Sequence, residues 1–164
     1  MDVREIRESE ESALADLTVA AYRQLLGELT PAYAADLADV TGRRATSGLA
    51  VLVAIDAGVV VGGVTYVQGG GPYAEFPDSD EAGFRHLAVT PDRQGRGAGR
   101  ALVEACISRA RATGVRRLGL FTTEAMTTAQ RLYEALGFVR TAGRDWVYEG
   151  HLCLLGYQLH LTDA

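Results

Sequence analysis

Little in this chain points to chemistry carried by metals, disulfides or nucleic-acid charge. Its two cysteines, Cys106 and Cys153, lie far apart in apolar patterns of helical and strand type, so they read as reduced core residues and not as a staple. His86, His151 and His160 make no metal-ligand spacing with either cysteine, and no Ser/His/Asp or Cys/His arrangement stands out. No Gly-Lys-Ser/Thr occurs, which excludes a P-loop. Lys and Arg number 16 against 21 Asp and Glu, and a net charge of −5 argues against a general nucleic-acid binder, whose affinity rests on clustered basic residues. No apolar run is long enough to span a bilayer, and the charged start Met1-Asp2-Val3-Arg4-Glu5 is unlike a signal peptide. The expectation is a cytoplasmic protein with no metal and with neither nucleic acid nor membrane as a partner.

What the chain does have is a glycine-rich centre. Phe84 to Pro91 reads as a strand, Asp92 to Gly99 as a loop, and Leu102, Val103, Cys106, Ile107 and Ala110 as the apolar stripe of a following helix. Glycines at 95, 97 and 99 let successive backbone N–H groups converge at the positive end of a helix dipole, a geometry suited to a phosphate or pyrophosphate. Arg93, Arg96 and Arg100 add local cations. A dinucleotide fingerprint starting at Gly95 fails, because its third glycine would fall at Arg100.

Gln94-x-x-Gly97-x-Gly99, after a strand ending Leu-x-Val-x-Pro, resembles the acyl-CoA signature of the GCN5-related N-acetyltransferases. Ala129-x-x-Leu132-Tyr133-x-x-x-Gly137-Phe138 resembles that family's fourth-helix motif, in the right order and spacing. The resemblance implies acetyl-CoA as cosubstrate. It implies that backbone groups of Leu87, Ala88 and Val89 hold the pantetheine arm and acetyl carbonyl. Gln94, Gly95, Arg96, Gly97, Ala98, Gly99 and Arg100 would hold the pyrophosphate, and Tyr133 would protonate the departing thiolate.

The rest of the chain fits one domain over residues 1–164. Val3 to Arg7 alternates as a strand; Ser9 can cap a helix bearing Leu14, Leu17, Ala21 and Leu25; Pro31 opens a short helix through about Val40. Leu49 to Ile55 and Val59 to Val67 form a hairpin in which Gly62-Gly63 marks a bulge. Gly69 to Asp80 is an exposed acidic loop that frames a pocket, its carboxylates Glu75, Asp78 and Asp80 being more often solvated than amine-binding. Arg117 to Thr122 is a strand, Thr127 with Gln130 starts a helix that Gly137 ends, and Phe138 to Tyr148 and Leu152 to Leu161 supply the last two strands. The order implies an α/β (α+β) fold: a mixed, mainly antiparallel central sheet of about seven strands, with about four helices on both faces. It matches the fold of the resembled family.

The implied reaction is transfer of an acetyl group to a primary amine, either a small molecule or a peptide amino group, by direct attack. Tyr22, Tyr33, Trp146 and Tyr148 are either acceptor contacts or packing residues. Two positions depart from the resembled pattern: Met126 stands where many members carry asparagine, and Gly83 where many carry a basic glutamate. Glu81, two residues earlier on the same strand face, is the expected replacement base, relaying a proton through a water beside Gly83; His86 points to the opposite face by strict alternation. Two other readings stay open: a non-catalytic acyl-CoA-binding or regulatory module, and a protein-interaction subunit associating through Leu152 to Leu161. A homodimer is also compatible with the sequence.

Overall fold

Alternation in β2 (Leu49–Asp56) sends Val51 and Val53 to one face of a sheet and Leu52 and Ala54 to the other, and each set enters a different core. The computed structural model describes residues 1–161. Its sheet runs β1 (Asp2–Glu5), β2, β3 (Val59–Val67), β4 (Glu81–Val89), β5 (Arg117–Thr123), β8 (Leu152–His160), β6 (Val139–Arg140), with β7 (Trp146–Tyr148) also on β8. All pairs are antiparallel except β4 with β5, which α4 (Ala98–Ala112) connects. Helices α4 and α5 (Thr127–Ala135) cover one face around Leu102, Val103, Cys106 and Tyr133. Helices α1 (Glu11–Leu26), α2 (Pro31–Ala38) and α3 (Val40–Ala45) cover the other around Leu14, Leu17, Leu37 and Val40.

The expected architecture is observed with two subdivisions, each with a local cause. The helix from Pro31 breaks at Asp39, whose backbone leaves the helical region and whose side chain caps α3 by accepting from Gly42 N–H at 3.0 Å. The strand from Phe138 to Tyr148 becomes β6 and β7 around a 3₁₀ turn at Ala142–Arg144, because Asp145 accepts from both Arg140 and the Gly156 amide. The cap at the start of α1 is also not Ser9; Glu10 reaches back to the Arg7 amide and Arg4 instead. Cys106 is buried, which pushes its thiol up to about 12, whereas Cys153 is exposed and not the core residue its strand pattern suggested. Strand β8 pairs with β5 along most of its length and with β6 and β7 on its other side, so Leu152 to Leu161 is not an open association edge. Among the described residues, no helix is long and apolar enough to cross a membrane, and no group of His, Cys, Asp and Glu is placed to hold a metal ion.

Two irregularities in β4 shape the site. It pairs with β5 only over Glu81–Gly83 against Arg117–Gly119, and beyond this the strands part. Its register with β3 also slips by one residue between Gly63/Ala88 and Thr65/Arg85, a bulge at which His86 takes φ 58°. The extra residue reverses the alternation. Ala82 and Phe84 enter the α4 core before the bulge, Leu87 and Val89 enter it afterwards, and Ala88 turns to the α1 core.

Candidate active site

The gap between β4 and β5 opens into a cavity of about 300 Å³ that reaches the amino end of α4. Leu87, Ala88, Val89, Gln94, Gly95, Gly97, Ala98, Gly99, Arg100 and Tyr133 all line it. Leu87 and Tyr133, 46 positions apart in the chain, therefore meet because the parallel β4–α4–β5 crossover returns α5 to the end of the glycine loop. Arg96 lies in the loop but outside this lining, and Arg93 is tied to Asp56 at 3.1 Å. Gln94 is held by Gln24 and the Val89 carbonyl.

The loop fits a pyrophosphate on the structure's own terms. Gly97 is the residue before the first turn of α4, at φ 92°, where a Cβ would be strained, and a Cβ built there would meet no protein atom within 4 Å. The space above the helix amides is open, and the 15-residue helix directs its dipole there. Further in, the cavity walls are apolar, as a pantetheine arm requires, and Met126 occupies the place where an amide was expected. Tyr133 packs against Phe84, Phe138 and Tyr157 with ring centroids 5.8–6.1 Å apart. Burial pushes its phenol well up, so it keeps its proton.

A second cavity, about 190 Å³, adjoins the first. An arc of rings surrounds it: Tyr22 meets Tyr33 at 6.2 Å, Tyr33 meets Tyr148 at 5.7 Å, Tyr148 meets Trp146 at 5.9 Å and Trp146 meets Phe121 at 6.2 Å. These rings come from α1, α2, β7 and β5, an assembly that no local pattern reveals. Asp36, Glu75, Arg85 and His86 supply its charged or titratable groups. Glu75 lies 3.4 Å from Arg85, and burial raises its carboxyl despite that arginine. Asp36 is lowered chiefly by its contact with His86.

Glu81 belongs to neither cavity, which corrects its expected role as a proton relay. Its side chain is 0% exposed and receives Arg144 through two hydrogen bonds of 2.6 and 2.7 Å, with Gln158 donating at 3.1 Å. The space beside Gly83 is not free for water either. Phe76 from the Gly69–Asp80 loop fills it: a Cβ at Gly83 would come within 3.2 Å of that ring, and one at Gly119 within 2.5 Å. Arg144 stacks over the same ring at 4.5 Å, so the missing side chain makes room for a loop anchor that holds neighbouring Glu75 over the aromatic cavity. His86 is on that cavity's side because of the bulge, not on the face that strict alternation assigns.

A splayed β4–β5 pair with a glycine loop on a helix amino end, joined to an aromatic cavity, can take a phosphate-bearing group at one end and a smaller molecule at the other. Residues 12–138 match the model of the acetyltransferase (GNAT) family. The chain belongs to that family. Mycothiol acetyltransferase of Thermobispora bispora is 44% identical over 54 residues, 33% of this chain and 18% of that protein. A probable N-acetyltransferase family 8 member 5 of Mus musculus is 35% identical over 107 residues, 65% of this chain and 45% of that protein. The chain thus spans less than half the length of these two relatives. A putative acetyltransferase from Salmonella typhimurium, solved with acetyl-CoA, superposes with a TM-score of 0.73 at 25% identity, over 100% of this chain and 95% of that one. A ribosomal-protein-alanine N-acetyltransferase from Brucella melitensis gives 0.76 at 24% identity, over 98% and 100%.

Proposed function

We propose that this domain transfers the acetyl group of acetyl-CoA to a compact primary amine that enters through the aromatic cavity. The observation that carries this is the junction of the two cavities: Tyr22, Arg85, His86, Phe121, Thr122 and Met126 line both, and they meet at the β4 bulge. An amine nitrogen there faces the end of the pantetheine channel. The bulge interrupts the ladder, and a backbone N–H near Leu87 or Ala88 supports the developing oxyanion. Aromatic faces and the Asp36 carboxylate favour a cationic head over an anionic one. At about 190 Å³ the cavity falls below the roughly 300 Å³ expected for drug-sized ligands, so a small amine, or only the amino end of a peptide, is accommodated. Tyr133 donates its proton to the leaving sulfur. The proposal includes a reducing cytoplasmic setting, in which Cys106 and Cys153 stay free.

Acetyl-CoA at about 100 times its dissociation constant should stabilise the fold by roughly 2.7 kcal/mol. For a chain of this size that is a melting shift of roughly 5 to 11 °C. Gly97→Glu should abolish the shift, since its side chain would enter the open space above the α4 amides with the wrong charge. Because φ 92° also strains any side chain, Gly97→Asn is the control: it tolerates that backbone and adds no charge. An equal shift in wild type and Gly97→Glu would remove the pyrophosphate assignment.

The acceptor class is checked by thiol release from acetyl-CoA with amines of graded size and charge. Compact arylalkyl or alkyl amines should be turned over with higher kcat/KM than polyamines or amino acids, and opening the arc with Tyr148→Ala should raise KM for the amine about tenfold without changing that for acetyl-CoA. Cofactor binding without turnover of any amine would favour the non-catalytic acyl-CoA-binding module.

A further inference from the structure

The reaction needs a group that takes a proton from the amine, and the position expected to supply a glutamate is Gly83, covered by Phe76. We propose that His86 Nδ1 is that proton acceptor and that Asp36 positions the imidazole. This rests on the reading of the aromatic cavity as the acceptor site. Four features of the structure converge on the assignment.

His86 is one of the residues that line both cavities, and it is the only imidazole or carboxylate among them. It adopts φ 58°, the left-handed region that non-glycine residues rarely occupy, at the bulge that turns its side chain into the junction. Its Nε2 lies 3.5 Å from Asp36 Oδ2, whereas Nδ1 is buried and has no hydrogen-bond partner among the described residues. A proton on Nε2 directed at Asp36 leaves the Nδ1 lone pair uncommitted, so the buried orphan is an acceptor awaiting a donor. The nearby carboxylates are otherwise engaged: Glu75 faces Arg85, and Glu81 is locked by Arg144 outside the cavities.

Its surroundings keep the imidazole neutral. Burial lowers its pKa most; the Asp36 carboxylate of α2 opposes this, and the Arg43 guanidinium of α3 and Arg85 of β4 add to the lowering. Tyr22 of α1, Tyr33 of α2, Glu75 of the loop and Tyr148 of β7 are the other titratable groups on the same cavity, the three phenols held protonated by burial. At neutral pH the net effect is an unprotonated base, the form that the step requires.

In the step, an ammonium N–H gives its proton to His86 Nδ1, and the freed pair attacks the thioester carbonyl carbon. The C–N bond forms, the C–S bond breaks, and sulfur takes the Tyr133 proton. The second proton released by nitrogen restores the phenol through solvent, and the imidazolium discharges to solvent. The net change is one ammonium and one thioester converted to one amide, one thiol and one proton.

His86→Asn and His86→Gly both tolerate a left-handed backbone, so the bulge should survive. Each should lose about 10²- to 10⁴-fold in kcat while the acetyl-CoA melting shift stays at its wild-type size. Added imidazole should restore turnover to His86→Gly and not to His86→Asn, whose side chain still occupies the site. Asp36→Asn removes the one contact that raises the histidine's pKa, so the acidic limb of the kcat/KM profile should move to lower pH while its plateau falls. Independently of any acceptor, ¹⁵N spectra of labelled imidazoles should show His86 as the Nε2–H tautomer, titrating below 6.5. Turnover by His86→Asn within a few-fold of wild type at every pH, or an Nδ1–H tautomer, overturns the assignment. Failure of wild type to acetylate any amine, with the tautomer as expected, overturns the acceptor reading instead.

Discussion

Tyr133→Phe is expected to bind acetyl-CoA as wild type does and to turn over about 10²- to 10⁴-fold more slowly. The phenol sits on α5, lines the cofactor cavity, and is pushed well up by burial, so at neutral pH it is a filled proton donor. A thiolate leaving into an apolar channel is poorly solvated, and a donor at that point lowers the barrier for C–S cleavage. Phenylalanine keeps the ring contacts with Phe84, Phe138 and Tyr157 and with them the cavity wall. The two readouts are the acetyl-CoA melting shift, unchanged, and single-turnover thiol release, slowed. Near-normal release, with the chemical step rate-limiting, would assign Tyr133 to packing alone.

Arg144→Ala should destabilise the fold by about 3 to 5 kcal/mol, the usual cost of leaving a buried charge without its partner. Glu81 is 0% exposed, and after the substitution it would keep only the Gln158 amide at 3.1 Å and a looser Arg117 contact at 3.9 Å. Phe76 would also lose the guanidinium that covers it. For a domain of this size the melting temperature should fall by roughly 6 to 20 °C. Glu81→Gln on top of Arg144→Ala should recover part of the loss, because the stranded charge is gone; simple additivity of the two would contradict a coupled pair. Glu81→Gln alone discriminates between roles. As a structural node it lowers stability and leaves the pH profile of turnover in place, whereas a relay would lose activity most near neutral pH and recover as pH rises.

The glycine loop, the Tyr133 motif and the strand-loop-helix order were legible because each is carried by residues near one another in the chain: φ 92° at Gly97 needs glycine whatever surrounds it, and the α4 stripe of Leu102, Val103, Cys106 and Ile107 needs only helical spacing. Those local demands suffice to fix the element order and the glycine-loop end of the site. The acceptor end was not legible for the opposite reason. One extra residue at the β4 bulge reverses which face each later side chain takes, so alternation counted through it sends His86 to the wrong side. Phe76 fills the space at Gly83 from seven residues upstream, and Arg144 reaches Glu81 across 63 residues, contacts that no spacing rule encodes. The sequence alone therefore determined that a glycine loop stands at the amino end of α4 with its amides open to an anion. Only the tertiary structure decided which groups face the aromatic cavity, because it is assembled from α1, α2, β4, β5, β7, β8 and two loops, each contributing one to three side chains whose directions depend on how the elements pack.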